Sequence, residues 1–217
     1  MQEGDTDMTN TARDVITGLA LTVTMFTAGQ ALAAEDEARI VIHVDNYARI
    51  LRADRGAAED EVTRIYAKAG VHIVWATAND KAVAPGLHVR VQLLPTDMAM
   101  RWIRTERLDD TVLGRAARGA GYAYIFTHRI ASLALRHSDD FRRLLGLVIA
   151  HEVGHLVLPI YSHSDNSIMR ANIGVRSKSF QDFTPEQAVT IRSMLLAASR
   201  LRSAITDAAV GCAAIGC

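Results

Sequence analysis

Cysteine is nearly absent from this 217-residue chain: Cys212 and Cys217 are the only two, and both fall in its last six residues. With no histidine beside them they do not read as a metal site, and in an oxidising compartment they are expected to close a small disulfide loop. Net charge is also lacking. The 24 basic and 24 acidic residues cancel, which removes the electrostatic case for nucleic acid or an anionic membrane as partner. No internal repeat, low-complexity run or interdomain linker interrupts the chain. The length suits one domain with a sizeable core, and the apolar (49%) and charged (22%) fractions are those of an ordinary globular protein.

Long uncharged stretches are scarce too, with one exception near the start. Arg13 precedes an uncharged run whose apolar part begins at Val15 and ends on Ala31-Leu32-Ala33, a small-x-small pattern. This is the layout of a secretory signal, so residues 1–33 are expected to be removed and residues 34–217 to form the mature domain, secreted or periplasmic. The alternative is an uncleaved membrane anchor. Thr22, Thr24, Thr27 and Gln30 weigh against it, and no membrane association is expected after removal. Loss of Arg13 together with Glu3, Asp5, Asp7 and Asp14 leaves a slight positive excess that indicates no partner.

Along the mature chain, the β-branched run Arg39 to Val44 predicts a strand. Val62, Ile65, Tyr66 and Ala69 have helical spacing, giving a helix over 57–69 with Gly70 to stop it. Val71 to Ala76 and Leu87 to Leu94 predict two more strands. Thr96 to Arg107 reads as a short helix, and the glycines at 114, 119 and 121 mark a mobile loop before a fourth strand, Tyr122 to Thr127. Ser138 or Asp139 is placed to cap a strong helix that carries Leu144, Leu145, Val148, Ile149 and Val153 and ends near Val157, ahead of Pro159. Residues 159–183 lack periodicity. A final helix starts with the Thr184-x-x-Gln187 capping box and Pro185 in its first turn, and runs to about Arg202. The fold class is α+β: a twisted mixed sheet of about four strands packed on the strong helix, plus a C-terminal helix.

That strong helix contains H-E-x-x-H, as His151, Glu152 and His155. Residues four apart lie one turn above each other, so the two imidazoles face the same way and can share one ion. Glu152 lies beside them, within reach of a water. Hydrolytic zinc sites take three protein ligands and keep one position for water. His163 is the first candidate for the third ligand, with Glu186 and Asp165 as competing oxygen donors. In such a site Glu152 acts as general base toward the water and then as general acid toward the leaving amine. No cysteine precedes the motif, so no thiol of an N-terminal prosegment can silence the metal. Tyr161 is a candidate contact for the oxyanion or the substrate, against the plainer reading of a loop tyrosine packed on the core. The remaining histidines (43, 72, 88, 128 and 137) have no mutual spacing that favours a site.

His151-Glu152-x-x-His155, then His163, then Ser167-Ile168-Met169 resembles the metzincin zinc metallopeptidases, in their matrixin-like form. The family pattern places a glycine where Leu158 stands and its third ligand where Tyr161 stands, so His163 comes two residues late. Met169 keeps the family interval of fourteen residues after His155. The resemblance implies a zincin-like single domain, a Zn2+ cofactor on His151, His155 and His163, Met169 in a turn beneath the metal, and a strand at 122–127 edging the cleft. It also implies an endopeptidase acting on peptide or protein substrates, expected to be exported from the signal layout above and to be a monomer. Two alternatives stand beside it: a gluzincin-type peptidase with Glu186 as third ligand, and a secreted zinc-binding or interaction protein without peptidase activity.

Overall fold

The computed structural model describes residues 37–76, 85–171 and 181–214, with side chains described as far as Ile205. All of these belong to the unit Asp36–Cys217. The segment 1–33, the side chain of Cys212 and all of Cys217 lie outside the described residues, and with them the signal and disulfide expectations.

The elements follow as β1 (Arg39–Asn46), α1 (Arg52–Lys68), β2 (His72–Ala76), β3 (Leu87–Leu94), α2 (Thr96–Glu106), β4 (Gly114–Ala117), a 3-10 turn (Arg118–Ala120), β5 (Tyr122–Phe126), α3 (Thr127–His137), α4 (Phe141–Val157) and α5 (Pro185–Ala214). The sheet has the order β2-β1-β3-β5-β4. Its first four strands run parallel, and β4 is added antiparallel to β5 at the edge.

The sheet therefore has five strands, not about four, and the extra one lies in the stretch expected to be a mobile loop. Gly114-Arg115-Ala116-Ala117 has none of the β-branched or aromatic residues that favour a strand. Its extended form comes from pairing, with Gly114 opposite Ile125 and Ala116 opposite Ala123. It follows that β5 is internal and β4 is the edge, which corrects the expectation of an edge strand at 122–127.

Adjacent residues of a strand point to opposite faces, so both faces of this sheet can be buried by one apolar run. On β3, Leu93 faces the larger core with Ile40, Ile42 and Ile125, while Leu94 faces a smaller cluster with Phe126 and the α2 residues Ala99 and Ile103. The larger core is closed by α1 and α4. Helix α1 stops where Gly70 adopts φ 71 and its N–H bonds the Ala67 carbonyl at 2.9 Å. Helix α3 was not expected, although Ile130 and Ala134 are four apart and both are buried. Ser138 ends it in the left-handed conformation rather than starting the next helix. The cap of α4 is Asp140, whose carboxylate accepts the Arg142 N–H at 3.0 Å. The capping box of α5 closes both ways: Gln187 N–H donates to Thr184 Oγ1 at 3.2 Å, and Thr184 N–H to Gln187 Oε1 at 3.0 Å. The helix continues well past Arg202, to Ala214. No helix among the described residues is long and apolar enough to cross a membrane.

Helix α4 is buried continuously from Leu144 to Gly154, so it is apolar nearly all round. Its seat against α1 depends on Gly146, where a Cβ would lie 2.8 Å from the Ala58 carbonyl oxygen and 2.8 Å from Glu61 Cβ. Four residues on, the buried Tyr66 hydroxyl donates to the Ala150 carbonyl at 3.1 Å and ties the same two helices together. Gly146→Ala should destabilise the protein. Overpacking against backbone costs ~1–3 kcal/mol, more than the ~1 kcal/mol of helix propensity that alanine contributes. A urea midpoint at or above that of the wild type would show that α1 yields freely.

Candidate metal centre and cleft

About three turns of apolar helix carry His151 and Glu152 into the interior, and both are only 6% exposed. Such groups must find partners or stay neutral. His151 Nδ1 lies 2.8 Å from the Ile168 carbonyl, so that nitrogen bears the proton and Nε2 presents a lone pair. Burial holds the His151 pKa down at about 4, with the Ile168 carbonyl pulling upward and His163 adding slightly to the lowering. His155 is lowered to about 3, first by burial and then by His151, His163 and Arg118. Both rings are thus neutral near pH 7.

The third imidazole arrives from the segment after α4. Pro159 follows the extended Leu158 and cannot continue the helix. Tyr161 then takes φ 67, a left-handed conformation that costs a non-glycine residue ~1–2 kcal/mol and reverses the chain. His163 Nε2 comes to 3.1 Å from His155 Nε2, which is itself 3.0 Å from His151 Nε2. Zinc held tetrahedrally by nitrogens at ~2.0–2.1 Å separates them by about 3.3 Å, so both of these contacts stand within a few tenths of an ångström of that spacing, and all three ligand atoms lie within 4.8 Å of one another. Three imidazoles that bring the same nitrogen into one cluster fit a shared cation.

These are the three metal-ligating side chains that gather among the described residues. Asp165 is exposed and outside the group. Glu186 lines a separate depression with Ser164 and Asn166, and its carboxylate is held below the usual range by its own backbone N–H and then by Thr184. It lies in the first turn of α5 and outside the cluster. Ser167, Ile168 and Met169 are buried, and Met169 Sδ would be 2.6 Å from a Cβ on Gly154. The methionine therefore packs under the motif helix because position 154 is glycine. Sequence reasoning passed over that residue, although it sits inside H-E-x-x-H.

Glu152 opens on a cleft of about 390 Å³ that it shares with the three histidines, Gly114 and Tyr161. Burial pushes its carboxyl up to about 8, against opposing pulls from the Ala116 N–H and Arg115. Strand β4 approaches so closely that a Cβ on Gly114 would be 2.7 Å from Glu152 Cγ. Tyr161 is 97% exposed, so it is a cleft-side residue and not one packed on the core. Elsewhere, the parallel register of β1 and β3 brings His43 Nε2 to 3.1 Å from His88 Nδ1, a proximity their spacing does not reveal.

No protein-family model and no curated protein matches the chain. Among solved structures, a zinc-dependent peptidase from Methanocorpusculum labreanum (strain Z) is similar with a TM-score of 0.46 at 14% identity, over 70% of this chain and 99% of that one. A likeness so low decides neither fold nor activity.

The shifted acid and bases set the pH dependence of the metal-free protein. Unfolded Glu152 releases its proton near 4.5 and folded Glu152 near 8, so its contribution to stability falls as pH rises through that window. His151 and His155 act oppositely. Unfolded they bind protons below about 6.5 and folded only near 4 and 3, so stability falls as pH drops through that range. Glu152→Gln removes the first effect alone. In chelator-treated protein, its stability relative to wild type should increase steadily from pH 5 to pH 8; denaturant midpoints that track each other across this range would contradict it.

Proposed function

We propose that the chain is an exported zinc-dependent endopeptidase of metzincin type. The observation that carries this reading is the convergence of His151, His155 and His163 through their Nε2 atoms in an open cleft that also holds the carboxyl of Glu152. A zinc ion on these histidines, when bound, supplies a Lewis acid that acidifies water and polarises a carbonyl. Glu152 takes the proton of the attacking water as the water oxygen bonds the carbonyl carbon. It then gives that proton to the amine nitrogen as the C–N bond breaks. Its raised pKa suits a group that must both hold and release a proton near neutrality. The neutral His151 ring is kept in one tautomer by the Ile168 carbonyl, so its Nε2 stays directed at the ion.

The metzincin assignment rests on the buried turn at Ser167–Met169, which both accepts from His151 and packs its methionine beneath Gly154. Substrate peptide is expected along β4. Phe126 N–H donates to the Leu113 carbonyl at 2.9 Å, and the alternation of an antiparallel ladder then leaves Gly114 and Ala116 facing outward. The Ala116 N–H is taken by Glu152, and Gly114 and Arg115 line the cleft along which an extended chain would lie. Export rests on the run that ends at Ala31-Leu32-Ala33, and the lack of a nucleic-acid partner on the neutral charge balance. A purely structural zinc would be closed by four protein ligands, whereas three gather here among the described residues.

Glu152→Gln should retain stoichiometric zinc and lose ~10²–10⁴-fold of peptidase activity on a peptide library; full activity would refute the mechanism. His163→Ala should lose zinc on dialysis against a mild chelator while Glu186→Ala keeps it. The reverse outcome would make Glu186 the third ligand.

A further inference from the structure

We infer that Gln187, on the first turn of α5, is the positioning residue for the third metal ligand, a role that rests on the zinc reading above. His163 is exposed, so packing does little to hold its ring, and its place depends on how the backbone around it is tied. After the ring, Ser164 N–H donates to the Met169 carbonyl at 3.0 Å. Before it, the Ser162 carbonyl accepts from Gln187 Nε2 at 3.0 Å. The same amide accepts the Thr184 N–H through Oε1 at 3.0 Å, while the Gln187 backbone N–H bonds Thr184 Oγ1 at 3.2 Å. One side chain therefore completes the capping box with its oxygen and anchors the ligand segment with its nitrogen.

The two jobs need different atoms, which separates them from an ordinary cap. A capping box is served equally by Glu or Gln, because only the acceptor oxygen is used. The bond to Ser162 needs an N–H donor, which glutamate lacks. A glutamine is thus required at 187 by the metal segment and not by the helix. The geometry makes the start of α5 part of the metal centre, although it supplies no ligand. Asp182 strengthens that link: its carbonyl accepts the Ile168 N–H at 2.9 Å while Arg64 and Lys68 of α1 hold its carboxylate at 3.1 and 2.7 Å.

The test is Gln187→Glu in the full chain, read by zinc competition against a chromophoric chelator and by the melting temperature of the metal-free protein. The expected result is a loss of about 10-fold in zinc affinity, the low end of the range for losing an outer partner of a metal site, since the bond is to the residue beside the ligand. The metal-free melting temperature should stay level or rise, since an acid in the first turn of a helix is favourable. In a His163→Ala background the same substitution should change zinc affinity little, because the ligand it positions is gone. Unchanged affinity in the wild-type background, or an equal fall in both backgrounds, overturns the role of Gln187 and leaves the zinc reading standing. A wild-type chain that binds no zinc overturns both.

Discussion

His151 and Glu152 enter the interior on a helix that is buried along most of its length, and the surroundings of α4 are arranged around those two polar groups. The Ile168 carbonyl answers His151 Nδ1, and the Ala116 N–H answers the Glu152 carboxyl. Each partner belongs to an irregular or weakly determined segment: a buried turn in one case, a four-residue edge strand in the other. Neither segment has a strong conformational preference of its own. Both are held by what the helix requires of them, since an unpaired buried polar group costs more than the backbone strain of supplying a partner.

Glycine makes these approaches feasible at three points, each with a different neighbour. Gly146 admits the backbone of α1, Gly154 admits the sulfur of Met169, and Gly114 admits the carboxyl of Glu152. A single Cβ at any of them would meet another atom inside 3 Å, so helix, turn and edge strand converge on α4 only because these side chains are missing. The cost of glycine in a helix, ~1 kcal/mol against alanine, is carried twice on α4. In return the motif helix is gripped from several sides, and its histidines are aimed by a rigid element.

Much of this was legible along the chain. Strand β1 stands out by its β-branched run, β2 and β3 by apolar stretches beside glycine and proline, and the capping box at Thr184 names the start of α5 to the residue. His151 and His155 needed only the period of a helix. Other features were hidden for physical reasons. Gly114-Arg115-Ala116-Ala117 is a strand because β5 lies beside it, and pairing between strands leaves no mark in a window of four small residues. Ser138 looked like the beginning of α4, but a left-handed residue between two helices closes the first, and the choice of Asp140 as cap depends on where that closure falls. The second hydrogen bond of Gln187 was invisible, since it joins residues 25 apart through the nitrogen of a side chain whose oxygen already explained its presence.

Local order alone determined that two imidazoles and a carboxyl would share one helical turn, and that the helix would end before Pro159. These are matters of helical period and of proline chemistry, fixed within a few residues. Only the tertiary structure decided which third side chain completes the cluster. His163, Glu186 and Asp165 were all chemically able, and the chain reversal at Tyr161 brings the histidine to 3.1 Å from His155 while the capping turn of α5 keeps Glu186 elsewhere. The reason is that a ligand set is a distance in space, and distance across an irregular segment depends on a few backbone angles and hydrogen bonds that residue type does not specify.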